Sequence, residues 1–544
     1  MRKFGLIAGI SAAVLIVLFM VLYFMGIFKD KIKSKDLYLY TIVYSQEASQ
    51  PVISAAKELS ETINKVYGTE LPVFSEAEAH KGKYEILIGK TQRNECVSYV
   101  DKLRSAGYGY GIEGKKIVIT GRNSETTILA LQDFIENVLN RNNGDNANAS
   151  IFYSEDDNKT VQGEYLLSEL SVGKTSIDKF RIVYPGEIVN GEDILADSLA
   201  SQVSEITGYV LEAVCEYDID DSAENEIYVG DVEKNAEMQL NENQYYIGFD
   251  GKKIRLYGNS SEALYRAVNT LIELFLETAD IKHRIELESG KIYDFDLSEM
   301  RAMSFNVYCA NLTNERVDRV LDIVEKYLPD TLGVQEATLN WMRIFHNKLG
   351  HIYKYVGVGR DGEARGEYSA VWYNAQKFDL IDSGTKWLSD TPEVVSKVEE
   401  SSLNRIFTYA LLSRKSDGQR VFVINTHLEH KSKEARNKQI AVLMDFVDNY
   451  RDYPIVLTGD FNSKPDSAVY KVVHGREFLD SAKAANVKYE AATFTNYGAS
   501  ESIIDYVFVS KNGFEVEEYR VCNEKINSNF PSDHHPVLVK YRLK

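Results

Sequence analysis

Two stretches of roughly one hundred residues repeat the same pattern, and that repetition constrains the fold more than any other feature. Residues 40–139 contain YEILIGKT from Tyr84 and IEGKKIVITGRNSETTILALQDFI from Ile112. Residues 180–275 contain NEIYVGDV from Asn225 and FDGKKIRLYGNSSEALYRAVNTLI from Phe249. Gly89 corresponds to Gly230, Gly121 to Gly258 and Glu125 to Glu262, and a Gly-Lys-Lys-Ile run recurs at 114 and 251. Each copy opens on a strand-like run, YTIVY or FRIVY, followed by a stretch with apolar residues at helical spacing, such as Ala55, Leu59, Ile63 and Val66. The Gly-Lys-Lys-Ile runs read as hairpins, with glycine at the turn. Ser124 and Ser260 stand where caps of the following helices belong. The expected order per copy is β-α-β-β-β-α or close to it. No glycine pattern of the phosphate-binding kind opens either helix. The polar runs RNNGDNANAS and SEDDNKT, from Arg141 and Ser154, read as a linker.

The chain divides accordingly: a segment 1–35, a first module 36–140, a linker 141–177, a second module 178–298 and a C-terminal domain 299–544. The two modules resemble the small noncatalytic α/β domain that precedes the catalytic barrel in β-hexosaminidases and α-glucuronidases. A spacer role is the simpler expectation for 36–298, and recognition of a polysaccharide is the sharper one.

Phe4 to Phe28 is a run of 25 residues without a charge. As a helix it would reach ~37 Å, more than the ~30 Å of a hydrocarbon core. Lysine and arginine flank it on both sides, so charge alone does not orient it. A cleaved signal peptide is the alternative, but its apolar region is normally shorter. The expectation is a retained membrane anchor with the bulk of the chain outside the cytoplasm.

The formal charge is −19, yet residues 301–544 hold 32 basic and 33 acidic side chains. The acidic excess therefore lies before residue 301 and argues against polyphosphate binding there. The near-neutral remainder shows no basic cluster of the kind that tracks nucleic acid, although nucleic acid is not excluded. Cys96, Cys215, Cys309 and Cys522 are scattered singly, without metal-ligand or redox spacing.

From Met303 the pattern changes to short apolar strands with particular polar residues at their ends. The runs are MSFNV, GVQEA, GEYSAVWY, NRIFTYALL, VFVINTHLEH, IVLTGDFNSKPDS, ESIIDYVFVS and PSDHHPVLV. Phosphoester hydrolysis needs a cation on the phosphoryl oxygens, a group that orients water, and donors around the phosphorus. Asn, Glu, Asp and His without cysteine suit a hard cation such as Mg²⁺, or Mn²⁺, rather than structural zinc. Singly, each motif reads as a turn, a cap or a core histidine. Their joint order is specific.

That ordered set resembles the endonuclease/exonuclease/phosphatase (DNase I-like) superfamily over the C-terminal 240 residues. The resemblance implies a four-layer α/β sandwich: two mainly antiparallel sheets, helices outside, and a site at one sheet edge. It also implies roles for matching positions. Glu336 would be the principal metal ligand, with Asn306 nearby as a further metal ligand or as a donor to the groups around the metal. Asp460 would orient or deprotonate water, and Asn462 would donate to the phosphoryl oxygens. Asp533 would hold one ring nitrogen of His534. His427 would contact the same phosphate, oriented by Glu367. Asp505 would add a polar contact near the metal. Arg405 would clamp a substrate phosphate or pair with a carboxylate. His430 and His535 read as bystanders, the latter because successive strand residues face opposite ways. The expected protein is a membrane-anchored, metal-dependent phosphodiesterase or phosphatase acting on a lipid head group, an inositol phosphate or a small diester. The alternatives are an extracellular nuclease, or a surface glycan binder or adhesin carrying a hydrolase-like domain.

Overall fold

A computed structural model describes residues 31–140, 151–167, 169–219, 224–232, 238–277, 284–526 and 529–544. The predicted anchor, Phe4–Phe28, lies outside the described residues. Among the described residues no helix is long and apolar enough to cross a membrane. The described residues form two compact units, divided between Tyr165 and Leu166.

The repeat is visible in the sheets. In the first unit six strands lie in the order Val73–Ser75, Thr41–Tyr44, Glu85–Ile88, Lys116–Gly121, Tyr108–Glu113, Lys159–Val161. In the second unit the order is Ala213–Cys215, Phe180–Tyr184, Asn225–Val229, Lys253–Gly258, Gln244–Phe249, Lys291–Asp294. Both sheets have three parallel pairings followed by two antiparallel ones. The hairpin turns carry Gly114 and Gly251 at φ +67° and +98°, a region glycine enters without a Cβ penalty. Each sheet has two strands more than the expected order: Val73–Ser75 and Ala213–Cys215 are three-residue edge strands too short to show periodicity, and Lys159–Val161 and Lys291–Asp294 come from beyond the repeated stretches. Residues 151–161 are not simply linker: Ile151–Ser154 pairs with Lys31–Lys33, and Lys159–Val161 closes the first sheet. The first cap is Asn123, whose side chain accepts from Thr126 N, so Ser124 begins the helix. Ser260 does accept from Ala263 N.

Two further sheets make up residues 299–544. The seven-stranded one runs Tyr353–Val356, Tyr368–Asn374, Thr331–Ala337, Glu299–Asn306, Val537–Leu543, Phe514–Val521, Val487–Tyr489. The six-stranded one runs Phe378–Trp387, Ile406–Arg414, Arg420–His427, Ile455–Asp460, Asp505–Ser510, Phe478–Asp480. Central strands such as Tyr368–Asn374 are buried along their whole length, which is why they read as continuous apolar runs. Ala302, Val371, Ala410, Val423, Val456, Val507 and Val539 fill the space between the sheets. Helices Asn314–Tyr327 and Leu339–Leu349 cover the outer face of the first sheet, and Lys433–Val447 and Ala468–Gly475 that of the second.

The second module does not stand apart from this sandwich. Its core residues, among them Ile194, Leu199, Val268 and Leu271, belong to one continuous cluster with Val320, Val324, Trp341 and Phe345. An ion pair crosses the junction. Arg301, 1 % exposed, donates to both carboxylate oxygens of Glu262 at 3.1 and 2.5 Å and stacks over Tyr265 at 4.3 Å. Burial opposes ionisation of Glu262, but Arg301, Lys377 and Arg266 outweigh it and hold the carboxyl well below the usual range.

Replacing Glu262 with Gln strands a buried guanidinium and should cost about 3–5 kcal/mol of unfolding free energy. Because the folded carboxyl titrates below its unfolded value, its contribution is present above about pH 4.3 and is lost as the pH falls further. Urea unfolding at pH 7 and about pH 2 should therefore show the two proteins converging in acid, with the gap still nearly whole at about pH 4. An unchanged gap would refute the assignment.

Candidate active site

Strand register gathers the polar residues. Glu299–Asn306 runs parallel to Thr331–Ala337, with Asn306 beside Gln335. Arg420–His427 runs parallel to Ile455–Asp460, with His427 beside Asp460. Both pairs end at the same rim of the sandwich. Asp505 opens the antiparallel neighbour directly opposite Asp460, so the two carboxylates lean to one side. Glu336 sits where the pairing of Thr331–Ala337 with Tyr368–Asn374 shifts register, at φ +57°. Such an irregularity re-aims a side chain at the expense of backbone strain. Asn462 (φ +47°) and Tyr308 (φ +56°) are held in the same region nearby.

The side chains converge on the amide of Asn306. Its Nδ2 lies 3.1 Å from Glu336 Oε1, 3.1 Å from Asp460 Oδ2 and 3.4 Å from His534 Nε2. The other Glu336 oxygen accepts from Cys309 N at 3.2 Å. Asp460 Oδ1 accepts from Asn462 N at 2.8 Å, and Asp460 Oδ2 is 3.4 Å from His427 Nε2. Asn462 Nδ2 lies 3.1 Å from that same ring nitrogen and donates to Leu428 O. Asn306, His427, Asp460, Asp505 and His534 are all buried.

The partner of His534 is Asp505, not Asp533. Nδ1 lies 2.9 and 3.1 Å from the two Asp505 oxygens. Asp533 precedes His534 in an extended turn and points elsewhere: its carboxylate accepts from Ser532 Oγ, while its carbonyl accepts from Thr495 N and Asn496 N. Glu367 is likewise not the partner of His427, since it pairs with Arg360 at 2.5 Å. Arg405 lies beside His427 and contacts His430 Nδ1 at 3.1 Å. His430 thus touches the wall of the site, whereas His535 turns away to Ala492 O. Phe494, whose ring centroid is 4.8 Å from that of His534, was not legible in sequence, nor was Arg360. Neither sits at the end of a recognisable strand.

Burial works against a cation at His534, but Asp505 with Asp460 and Asp533 outweighs it and lifts the ring to about 10. His427 goes the other way, driven well below the usual value by burial and by Arg405. Burial and the facing Asp505 raise Asp460 to about 7. Crowded, buried carboxylates of this kind are short of positive charge. One ligand atom each from Asp460, Asp505 and His534 lies within 4.8 Å of the others, and Glu336 stands across Asn306 from them. An oxygen-rich set with one imidazole fits a hard divalent cation.

Residues 303–534 match the Endonuclease/Exonuclease/phosphatase family. The C-terminal region of this chain belongs to that family. The chain is 26% identical over 257 residues to the CCR4-Not complex 3'-5'-exoribonuclease subunit Ccr4 of Mycosarcoma maydis, a match covering 34% of this chain and 38% of that protein. Among solved structures it is similar to an endonuclease/exonuclease/phosphatase family protein from Bacteroides thetaiotaomicron, at 30% identity and TM-score 0.43. That likeness covers 45% of this chain and 98% of that one. A mannosyl-6-phosphatase of Bacteroides thetaiotaomicron VPI-5482 is also 30% identical, with TM-score 0.42, over 45% of this chain and 99% of that one.

The two aspartates can be separated by experiment. Asp505→Asn should lower kcat by roughly 10²–10⁴-fold with the fold intact, since the ring loses its orienting carboxylate. Asp533→Asn should stay within about tenfold of the wild type. Equal losses would refute the assignment of Asp505.

Proposed function

We propose that this chain is a divalent-metal-dependent phosphoester hydrolase. The observation that carries the reading is the single amide of Asn306 reaching Glu336, Asp460 and His534 at once, which ties a metal-binding carboxylate to the acid–base groups. Glu336 and Asp460, with Asp505 in reach, are the residues that would hold Mg²⁺ or Mn²⁺. Such an ion, when bound, neutralises charge on the phosphoryl oxygens.

The remaining groups suit in-line attack by water. Asp460, fixed by Asn462 N, orients the water and accepts its proton. His534, kept cationic by Asp505, donates to a phosphoryl oxygen as charge builds there. Neutral His427 and the Asn462 amide line the neighbouring side and steady the same phosphate. The water oxygen bonds to phosphorus, the phosphorus–ester oxygen bond breaks, and the departing oxygen takes a proton. Phe4–Phe28 would tether the enzyme to a membrane, with the described residues outside the cytoplasm; resistance of the membrane-bound chain to carbonate extraction would test this. A nuclease is the second reading, favoured by the similarity to Ccr4.

The test is turnover of a substrate panel by the full chain in detergent. It should include generic phosphate esters, RNA, plasmid DNA, sphingomyelin and inositol phosphates, with Mg²⁺, Mn²⁺ or a chelator. Activity should disappear with chelator and return with metal, and Asp460→Asn or His534→Ala should each remove at least about 10³-fold of kcat/KM. Activity that survives both substitutions would end the proposal.

A further inference from the structure

The loop that follows Asn306 is wrapped around a buried cation. Arg316 stands in the first turn of the helix Asn314–Tyr327 and is 4 % exposed. Its Nε donates to Asn311 O at 2.9 Å, and its Nη1 to Val307 O at 2.8 Å and Pro531 O at 3.1 Å. Its Nη2 donates to Tyr308 O at 2.9 Å and Ala310 O at 2.6 Å. These five carbonyls take up all five N–H groups that a guanidinium offers. The guanidinium carbon lies 5.0 Å from the Trp341 ring and 5.8 Å from the Tyr308 ring. Trp341 Nε1 adds a second donor to Tyr308 O at 3.1 Å.

Stability alone does not select this arrangement. Burial disfavours the charge of Arg316, and a cation in the first turn opposes the helix dipole. Among the described residues no carboxylate accepts a hydrogen bond from it. Tyr308 and Asn311 are both left-handed, each at φ +56°. What the guanidinium holds is a loop whose backbone N–H groups face the site. Tyr308 N donates to Asn306 Oδ1 at 3.1 Å, which turns Asn306 Nδ2 toward Glu336, Asp460 and His534. Cys309 N donates to Glu336 Oε2 at 3.2 Å. Pro531 O belongs to the segment that leads into His534. There Ser532 Oγ reaches Asn306 O at 2.8 Å and accepts from His534 N at 3.3 Å.

We infer that Arg316 is a positioning residue for the metal side: it holds loop 307–311 in the shape that aims Glu336 and the Asn306 amide at one cation, and so sets how tightly that cation is bound. This rests on the metal site of the hydrolase reading above. Arg316 touches none of the site side chains itself, and its effect passes through Tyr308 N and Cys309 N. Without it five carbonyls lose their donor in a medium of low dielectric, and the loop must rearrange to reach other partners. Glu336 then loses the N–H that fixes its second oxygen, and a ligand with more freedom binds a cation less tightly. Lysine would restore the charge but brings three donors, not a planar set of five.

The test measures Mn²⁺ binding by the full chain in detergent, from the electron paramagnetic resonance signal of the free ion, beside turnover of phosphate esters at saturating Mn²⁺. Arg316→Lys should raise the Mn²⁺ dissociation constant at least about tenfold, and Arg316→Met should raise it further, while KM at saturating Mn²⁺ changes less than about threefold. Circular dichroism and thermal melting report whether each variant folds. A residue that only stabilised the fold would lower the folded fraction and leave the dissociation constant of the folded remainder unchanged. Trp341→Phe removes one donor from Tyr308 O and should raise the constant about threefold, and it decides the matter where neither Arg316 variant folds. An unchanged constant in folded Arg316→Lys, or in Trp341→Phe where the arginine variants do not fold, overturns the positioning role alone. A wild type that binds no Mn²⁺ overturns the metal site and this role together. One that binds Mn²⁺ but turns over no ester overturns the hydrolase reading, and the binding comparison still decides the role of Arg316.

Discussion

Everything at the rim depends on the two sheets meeting in one register, and Asn425 fixes it. This residue sits in the middle of the sandwich on Arg420–His427, fully buried. Its Nδ2 donates to Val334 O and Ala370 O of the opposite sheet at 2.8 and 2.9 Å. Its Oδ1 accepts from Gln335 Nε2 at 2.6 Å and from Thr458 Oγ1 at 3.1 Å. Apolar contact alone would let the sheets slide, because dispersion is tolerant of small shifts. A fully satisfied buried amide is not, since displacement leaves polar groups unpaired in a medium of low dielectric. Gly333 allows this closeness: a Cβ there would stand 2.2 Å from Thr458 Oγ1 and 2.7 Å from the Asn425 amide. Two residues along from Asn425 is His427, and two along from Val334 is Glu336, so the staple sets the distance between the two halves of the site.

Given that register, the site is assembled against its own electrostatics. Asp460 and Asp505 face each other across one antiparallel step, and His534 is the cation close at hand. The left-handed backbone at Glu336 and Asn462 adds to the strain of the same few ångströms. Stability alone would not select this arrangement, because apolar residues at those strand ends would be tolerated without crowding. The extended hydrophobic contact between the sheets offsets the local cost. It leaves a crowded set of buried carboxylates whose charge a divalent cation would balance.

What sequence could convey followed from how local each signal is. Strand ends such as VQEA and GDFN were legible because a buried run stops at a polar residue, and the eye can place that residue at a rim. The helices and the hairpins of the two modules were legible for the same reason, through periodicity and a glycine at the turn. Partnerships across the chain were not. The resemblance implies Asp533 as the support of His534, but neighbours in an extended segment diverge, and the partner is Asp505, 29 residues away on another strand. Glu367 and His427 were expected to meet, yet a loop arginine with no distinguishing neighbourhood, Arg360, claimed the carboxylate. The short edge strands of both modules also escaped, since three residues carry no period.

The duplicated modules show how one pattern acquires two structural fates. Each helix that follows the first strand, Gln50–Tyr67 and Glu192–Thr207, buries an apolar stripe on its own sheet. The first buries six of 18 residues, whereas the second buries ten of 16, which requires burial on a second face. Ala196 and Ser198 are buried on the second helix, and residues this small let a neighbouring helix approach. The neighbour is Asn314–Tyr327, the helix behind the strand that delivers Asn306. Lys348, on the next helix, reaches Asp197 at 2.5 Å and lies 3.8 Å from the buried Glu325, adding a polar seam to the apolar one. The second copy is therefore part of the scaffold that holds the metal-side strands in place. Loosening that seam should be felt at Asn306, through the strand it braces, before it is felt at His427 on the other sheet.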